Sequence, residues 1–183
     1  MSFRRIMSLA LGLAVTIFAL TNVAIAQGPA LSRSVVLVPK GTPMPPATCE
    51  PAQLAQMTRE ALARTNASRR AAGLAPLVED PRLSRVALRH ACAIAEIGRL
   101  EHRGPRGLTP MKRVRAAGFN ACFTAENLAA GLYDARRAVA AWQASDGHRR
   151  NMMDRRARQA GFGFVHGADG RVWWVGIYAA GCG

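Results

Sequence analysis

From Pro51 onward, Leu54, Met57, Ala61, Leu62 and Thr65 fall on one helical stripe, and Gly73 supplies a stop, so the pattern predicts a first helix ending near Ala72. Asp80-Pro81 pairs an N-cap with a proline at the first helical position and opens a second helix, with Leu83, Ala87, Ala91, Ile94 and Gly98 toward the core. Thr109-Pro110 starts a short third helix that Gly118 ends, with Met111 and Val114 inward. Asp134 caps a fourth, carrying Val139 and Trp142 at core spacing; Gly147 breaks it before His148, and Arg149 to Asp154 forms another turn. The period then changes to two. Gly161 to Val165 and Arg171 to Ala179 read as strands joined by a hairpin loop over His166-Gly-Ala-Asp-Gly170. Val172, Trp174 and Tyr178 alternate with Trp173, Val175 and Ile177, so the last strand is apolar on both faces and must be covered on both. The expected fold is therefore α+β, a three-layer sandwich with a small antiparallel sheet between helical layers, and the three tryptophans belong to its core.

The two ends of the chain read differently. Arg4 and Arg5, an apolar run from Leu9 to Leu20, and Ala24-Ile25-Ala26 have the order of a secretory signal peptide cleaved after Ala26, which implies a secreted or periplasmic protein. No second apolar segment approaches the length of a membrane span, so none is expected after its removal. Residues 27–48 hold five prolines and read as a leader or linker, leaving 49–183 as the folded domain. Loss of residues 1–26 removes two arginines and no acid, so the net charge falls from +14 to +12. Such a charge favours anionic lipid or an acidic envelope polymer. Export and the absence of a nucleic-acid-binding motif argue against nucleic acid. Four cysteines in an exported chain imply two disulfides, with three pairings open to them. We expect Cys49 with Cys182, tying the ends together, and Cys92 with Cys122, fastening the second helix to the run beyond it.

Chemistry-bearing residues concentrate between Glu126-Asn-Leu-Ala-Ala-Gly131 and Trp142-Gln-Ala-Ser-Asp-Gly-His-Arg-Arg-Asn-Met-Met-Asp154. With Asn66-Ala-Ser-Arg-Arg-Ala-Ala-Gly-Leu-Ala-Pro-Leu77, Leu83 to His90, Leu100-Glu-His-Arg-Gly-Pro105, Gly161-Phe-Gly-Phe and Trp173-Trp-Val in that order, the chain resembles the CAP superfamily. That group includes cysteine-rich secretory proteins, insect venom antigens and plant pathogenesis-related proteins of class one. The resemblance covers residues 50 to 180 and implies the same three-layer fold. It also implies a cavity lined by two histidines and two glutamates, in which the histidines can hold a divalent metal such as zinc. Matching motif to motif places the histidines at His102 and His148 and the first glutamate at Glu126. The second glutamate falls at Ser145, a departure shared by bacterial members with a Trp-x-x-Ser-x-Gly-His pattern.

That departure bears on chemistry. Two neutral imidazoles can ligate zinc, but activating a bound water usually needs a third ligand or a placed base, and Glu126 is the one carboxylate left. Glu126 and Ser145 are the candidate catalytic groups. Ser145, His148 and Glu126 also supply the residue types of a serine hydrolase, without the Gly-x-Ser-x-Gly elbow that would support it. The competing reading makes His102, Glu126 and His148 a hydrogen-bonded cluster that fixes loops over the sheet. His90 reads as a packed or partly exposed helix residue, Asn127 and Asn151 as loop fasteners, and Asn66 in its Asn-Ala-Ser sequon as a structural side chain. Binding of a lipid, an anionic polymer or a protein at the cell envelope is favoured over turnover. A metal-assisted peptidase or esterase built on His102, His148 and Glu126 is the alternative.

Overall fold

The computed structural model describes residues 54–131 and 134–182. The segments expected to be a signal peptide and a Pro-rich leader, and Cys49, lie outside the described residues. Five α-helices and four strands follow in the order α1 (Leu54–Ala71), β1 (Val78–Glu79), α2 (Pro81–Ile97), α3 (Pro110–Ala116), β2 (Ala121–Gly131), α4 (Ala135–Ala144), α5 (Asp146–Met152), β3 (Gln159–His166) and β4 (Val172–Gly181). The strands form one sheet in the order β1-β3-β4-β2. β4 lies in the middle, antiparallel to both β3 and β2, while the two-residue β1 runs parallel to β3. The sheet is thus mixed, not purely antiparallel. The parallel pair arises because α1 turns back at Gly73, in the left-handed region at φ 67°, and delivers β1 to the edge just before α2 begins.

The double-sided β4 does what its sequence requires. Val172, Trp174 and Tyr178 join a cluster with Val139, Trp142 and Phe162, beneath α1, α4 and α5. Trp173, Val175, Ile177 and Ala179 join the opposite cluster with Leu83, Ala87, Ala91 and Ile94 of α2 and Val114 of α3. Trp142, Trp173 and Trp174 are all buried. Burying aromatic side chains of this size supplies the largest single contributions to such a core. Close approach of α2 to the sheet depends on two glycines of β3. A Cβ on Gly161 would lie 2.2 Å from the Ser84 backbone nitrogen, and one on Gly163 would lie 2.2 Å from that of Leu88.

The helix caps follow the sequence. Asp80 accepts from the Arg82 N–H, Thr109 from that of Lys112 and Asp134 from that of Arg137, and Pro81 and Pro110 occupy first-turn positions. Two readings need correction, and one strand was not foreseen. Gly98 is no core residue but the exposed left-handed cap that ends α2. The break after α4 falls at Ser145, and Gly147 and His148 lie inside α5. Residues Ala121–Gly131, with no clear period in sequence, form an eleven-residue strand.

The cysteine pairing is also corrected. Cys122 is bonded to Cys182, which excludes both Cys49–Cys182 and Cys92–Cys122. The reason is the β2–β4 ladder: Ala121 pairs with Gly181 and Phe123 with Ala180, so Cys122 is the extra residue at a shift of register and lies with its Cα 4.9 Å from that of Cys182. Cys92 is disulfide-bonded as well. Among the described residues, no helix is long and apolar enough to cross a membrane.

Candidate functional site

Glu126 lies in the middle of β2 and is 4 % exposed. A carboxylate at that depth needs partners, and three elements bring them. The loop after α2 brings His102, whose Nδ1 donates to Glu126 Oε1 at 2.9 Å. From α3, the Arg113 Nη2 donates to Oε2. α2 contributes His90, whose Nε2 stands 3.6 Å from Oε1 while donating to the Glu101 carbonyl at 2.9 Å. Arg113 also reaches back with Nη1 to the carbonyls of His102 and Leu108, at 2.9 and 2.7 Å. Glu126 and Arg113 together therefore pin the His102 loop onto the strand.

A second set of bonds ties α5 to the same strand. Asn151 donates to the Glu126 carbonyl at 3.1 Å and to Asn127 Oδ1 at 2.9 Å, and Asn127 donates to the His148 carbonyl at 3.0 Å. Both asparagines are fasteners, as expected. So is Asn66, which exchanges two hydrogen bonds with the Leu77 backbone. These bonds bring α5, and with it His148, up to the His102 loop.

The imidazoles differ in their surroundings. His102 is exposed, and its hydrogen bond to Glu126 holds its pKa above the ordinary value against the opposing effect of burial. Burial lowers the pKa of His148, and the neighbouring His102 lowers it further. Burial likewise lowers that of His90, only partly offset by the charge of Glu126. Ser145 stands at the junction of α4 and α5, where its backbone N–H donates to the Trp142 carbonyl and its side chain makes no cap bond.

Sequence reasoning missed two members of this cluster. His90, read as a packed or partly exposed helix residue, is packed at 2 % exposure but beside Glu126, a role not assigned to it, and Arg113 was not singled out at all. A faint signal for Arg113 existed: an arginine on the inward-facing turn of a helix beside Val114 needs a buried acid, and Glu126 is buried within reach.

The donor set decides what metal chemistry the residues present can support. With Nδ1 of His102 engaged by a carboxylate, its Nε2 is oriented as in many metal-binding histidines. Among the described residues, however, no three His, Cys, Asp or Glu side chains are placed so that they could hold a metal ion together. Glu126 has both oxygens occupied by His102 and Arg113, and Ser145 replaces the second acid. Zinc sites take three or four protein ligands. This set does not fit a catalytic zinc ion.

Comparison with known proteins agrees with the fold. An extracellular protein containing an SCP domain from Bacillus anthracis superimposes with a TM-score of 0.62 at 22 % identity, over 69 % of this chain and 41 % of its own. An outer surface protein of Borrelia burgdorferi gives 0.64 at 22 % identity, over 73 % and 96 % of the two chains. In sequence, the uncharacterized protein YkwD of Bacillus subtilis is 28 % identical over 126 residues, which is 69 % of this chain. The match covers 48 % of that relative's length. The profile of the cysteine-rich secretory protein family, CAP, matches residues 62–178, and the chain belongs to that family.

Proposed function

We propose that this protein works outside the cytoplasm as a non-catalytic binding domain at the cell envelope, recognising an anionic lipid, polymer or protein surface. One observation carries the non-catalytic half: Glu126, the only acid in the cluster, has one oxygen committed to Arg113 and the other to His102. A general base must be free to take a proton from a nucleophile, and a carboxylate paired with a guanidinium is a poor acceptor. Nor does Ser145 have a hydrogen-bonded base beside it, so the metal-assisted and serine hydrolase alternatives lose their central residues. An extracellular role draws support from the two relatives described as extracellular and as an outer surface protein. Attraction to anionic partners draws support from the net charge of +14, which is +12 without residues 1–26.

The test is sedimentation of the purified protein with vesicles of phosphatidylglycerol mixed with phosphatidylcholine, across a salt series. Retention that weakens steeply with salt is expected for surface electrostatics. No retention on anionic vesicles or on a soluble polyanion at any salt would remove the anionic-partner reading. Turnover of peptide or ester substrates that Glu126→Gln abolishes would overturn the non-catalytic one.

A further inference from the structure

On the side of His90 and Arg113 away from Glu126, α2, α3 and residues 99–108 enclose two adjoining cavities of about 400 and 260 Å³ that share His90, Ala93 and Pro105. The larger falls in the size range of small-molecule sites, roughly 300–1,000 Å³. Their walls are mostly apolar, from Val86, Ala93, Ile94, Ile97 and Leu108.

Two polar atoms on this side are left over. Arg113 Nε and His90 Nδ1 are both buried and have no hydrogen-bond partner among the described residues. Arg113 Nε is a donor. His90 Nε2 faces a carbonyl, which only accepts, so Nε2 carries the proton and Nδ1 of the neutral ring is an acceptor. Buried polar atoms left unpaired are costly and call for an explanation.

Gly104 lets the loop come close to both side chains. A Cβ there would lie 3.3 Å from Arg113 Cδ and Nη1 and 3.6 Å from His90 Nδ1. Its backbone, at φ −78° and ψ −176°, is one that any residue adopts. Glycine is therefore not required by the chain path, and its effect is the close approach of the loop to Arg113 and His90.

Around the mouth positive charge is in excess: among the described residues, the one acid lining the larger cavity, Glu101, is paired with Arg99 at 2.8 Å, and the other charged side chains are arginines. Arg89 and Arg106 line the smaller cavity with no ion-pair partner among the described residues. Arg103, lining the larger, reaches only the Gly107 carbonyl, at 3.4 Å. Arg106 is held at φ 60°, a conformation disfavoured for a side-chain-bearing residue.

We propose that this cleft binds a phosphate monoester of an aliphatic alcohol, with the alkyl chain along the apolar wall and the phosphate between Gly104, Arg89 and Arg106. The singly protonated monoester matches every feature. A phosphoryl oxygen accepts from Arg113 Nε, the P–OH donates to His90 Nδ1, and the charge meets the unpaired arginines. A carboxylate has no proton to give, and an alcohol has no charge.

Calorimetric titration of the full chain with octyl phosphate, at about pH 6 where the singly protonated form is abundant, tests this. Saturable one-to-one binding is expected. Gly104→Ala, which crowds Arg113 and His90 on a permitted backbone, should weaken it about tenfold or more, as should the surface pair Arg89→Ser with Arg106→Ser. Octanoate, octanol and inorganic phosphate should each bind more weakly than octyl phosphate, and Arg136→Ser, in the groove between α1 and α4, should change nothing. Equal affinity in wild type and the arginine pair would overturn the proposal. So would octanoate or inorganic phosphate binding as tightly as octyl phosphate. If Gly104→Ala fails to melt cooperatively, the arginine pair carries the test alone. Vesicle retention is a separate measurement, so loss of octyl phosphate binding with vesicle binding intact rejects this site and leaves the envelope reading standing.

Discussion

Replacing Glu126 by Gln keeps the shape of the side chain and removes its charge. Arg113, whose side chain is only 10 % exposed, then loses its carboxylate, and His102 loses the acceptor that anchors its loop. Removing one partner of a buried ion pair typically costs about 3–5 kcal/mol, since the remaining charge stays buried without compensation. Here Arg113 keeps two carbonyl acceptors, at His102 and Leu108, and the Gln amide oxygen can still accept one bond, so a value at or below the lower end, about 2–3 kcal/mol, is expected. For a domain of this length that corresponds to a Tm lower by on the order of 10 °C. The measurement is reversible urea unfolding of wild type, Glu126→Gln, Arg113→Met and the double variant. If the cluster is a unit, the double variant should lose clearly less than the two single losses added together. A Glu126→Gln variant within about 0.5 kcal/mol of wild type, the range of an ordinary surface change, would refute the claim that this acid holds the loop.

Because the folded-state pKa of His102 is raised above its unfolded value, its bond to Glu126 contributes stability fully present below the unfolded pKa and lost as pH rises through the folded one. His102→Asn should therefore cost more at pH 5.5 than at pH 8.5, and an equal cost at both would contradict the assignment. His90, whose folded pKa is lowered, works oppositely: its contribution is present above the unfolded pKa and declines as pH falls through the folded one, so His90→Gln should flatten the acid limb of the stability profile. Replacing Cys122 and Cys182 by serine opens a loop of sequence separation 60, and should destabilise by up to about 4 kcal/mol on chain-entropy grounds, read from denaturant midpoints; an unchanged midpoint would show that the bond restrains little. Gly163→Ala forces a Cβ into the α2 backbone and should cost about 3 kcal/mol or more, with failure to express soluble protein an equivalent sign, whereas a Tm within about 2 °C of wild type would mean α2 sits further from the sheet. Zinc, titrated against wild type and the His102→Ala, His148→Ala pair, should bind both alike; tighter wild-type binding would restore a two-histidine metal site.

The helices were legible because their ends are marked in the chemistry of single residues. Asp80-Pro81, Thr109-Pro110 and Asp134 each declare a start, and the double-sided β4 declared the layers on either side of it. β2 was not legible. Its run of alanines has little strand preference of its own, and Glu126 and Asn127 at its centre break any apolar alternation. What makes it a strand is the ladder offered by β4, a tertiary cause that a local pattern does not carry. The disulfide was lost with it, since only the β2–β4 register brings Cys122 beside Cys182. In the same way His102 and Glu126 were found by motif, but His90 was not, because its partners come from a loop and a strand with no spacing relation to α2.

β2 is also an outer strand, and unpaired backbone at a sheet border invites another chain to add on. In this protein that border is already spoken for by side chains. The carbonyls of Glu126 and Leu128, two residues apart and so on the same side of the strand, accept from the Asn151 amide and the Trp142 indole, and the Ala121 carbonyl accepts twice from Arg115. A fifth strand arriving there would have to evict an indole rooted in the core and an asparagine that holds α5. This border of the sheet is closed to self-templating by the same contacts that hold α5, so a substitution such as Trp142→Phe, which keeps the bulk and drops one N–H, would release the Leu128 carbonyl to an incoming strand as well as cost the domain a buried hydrogen bond.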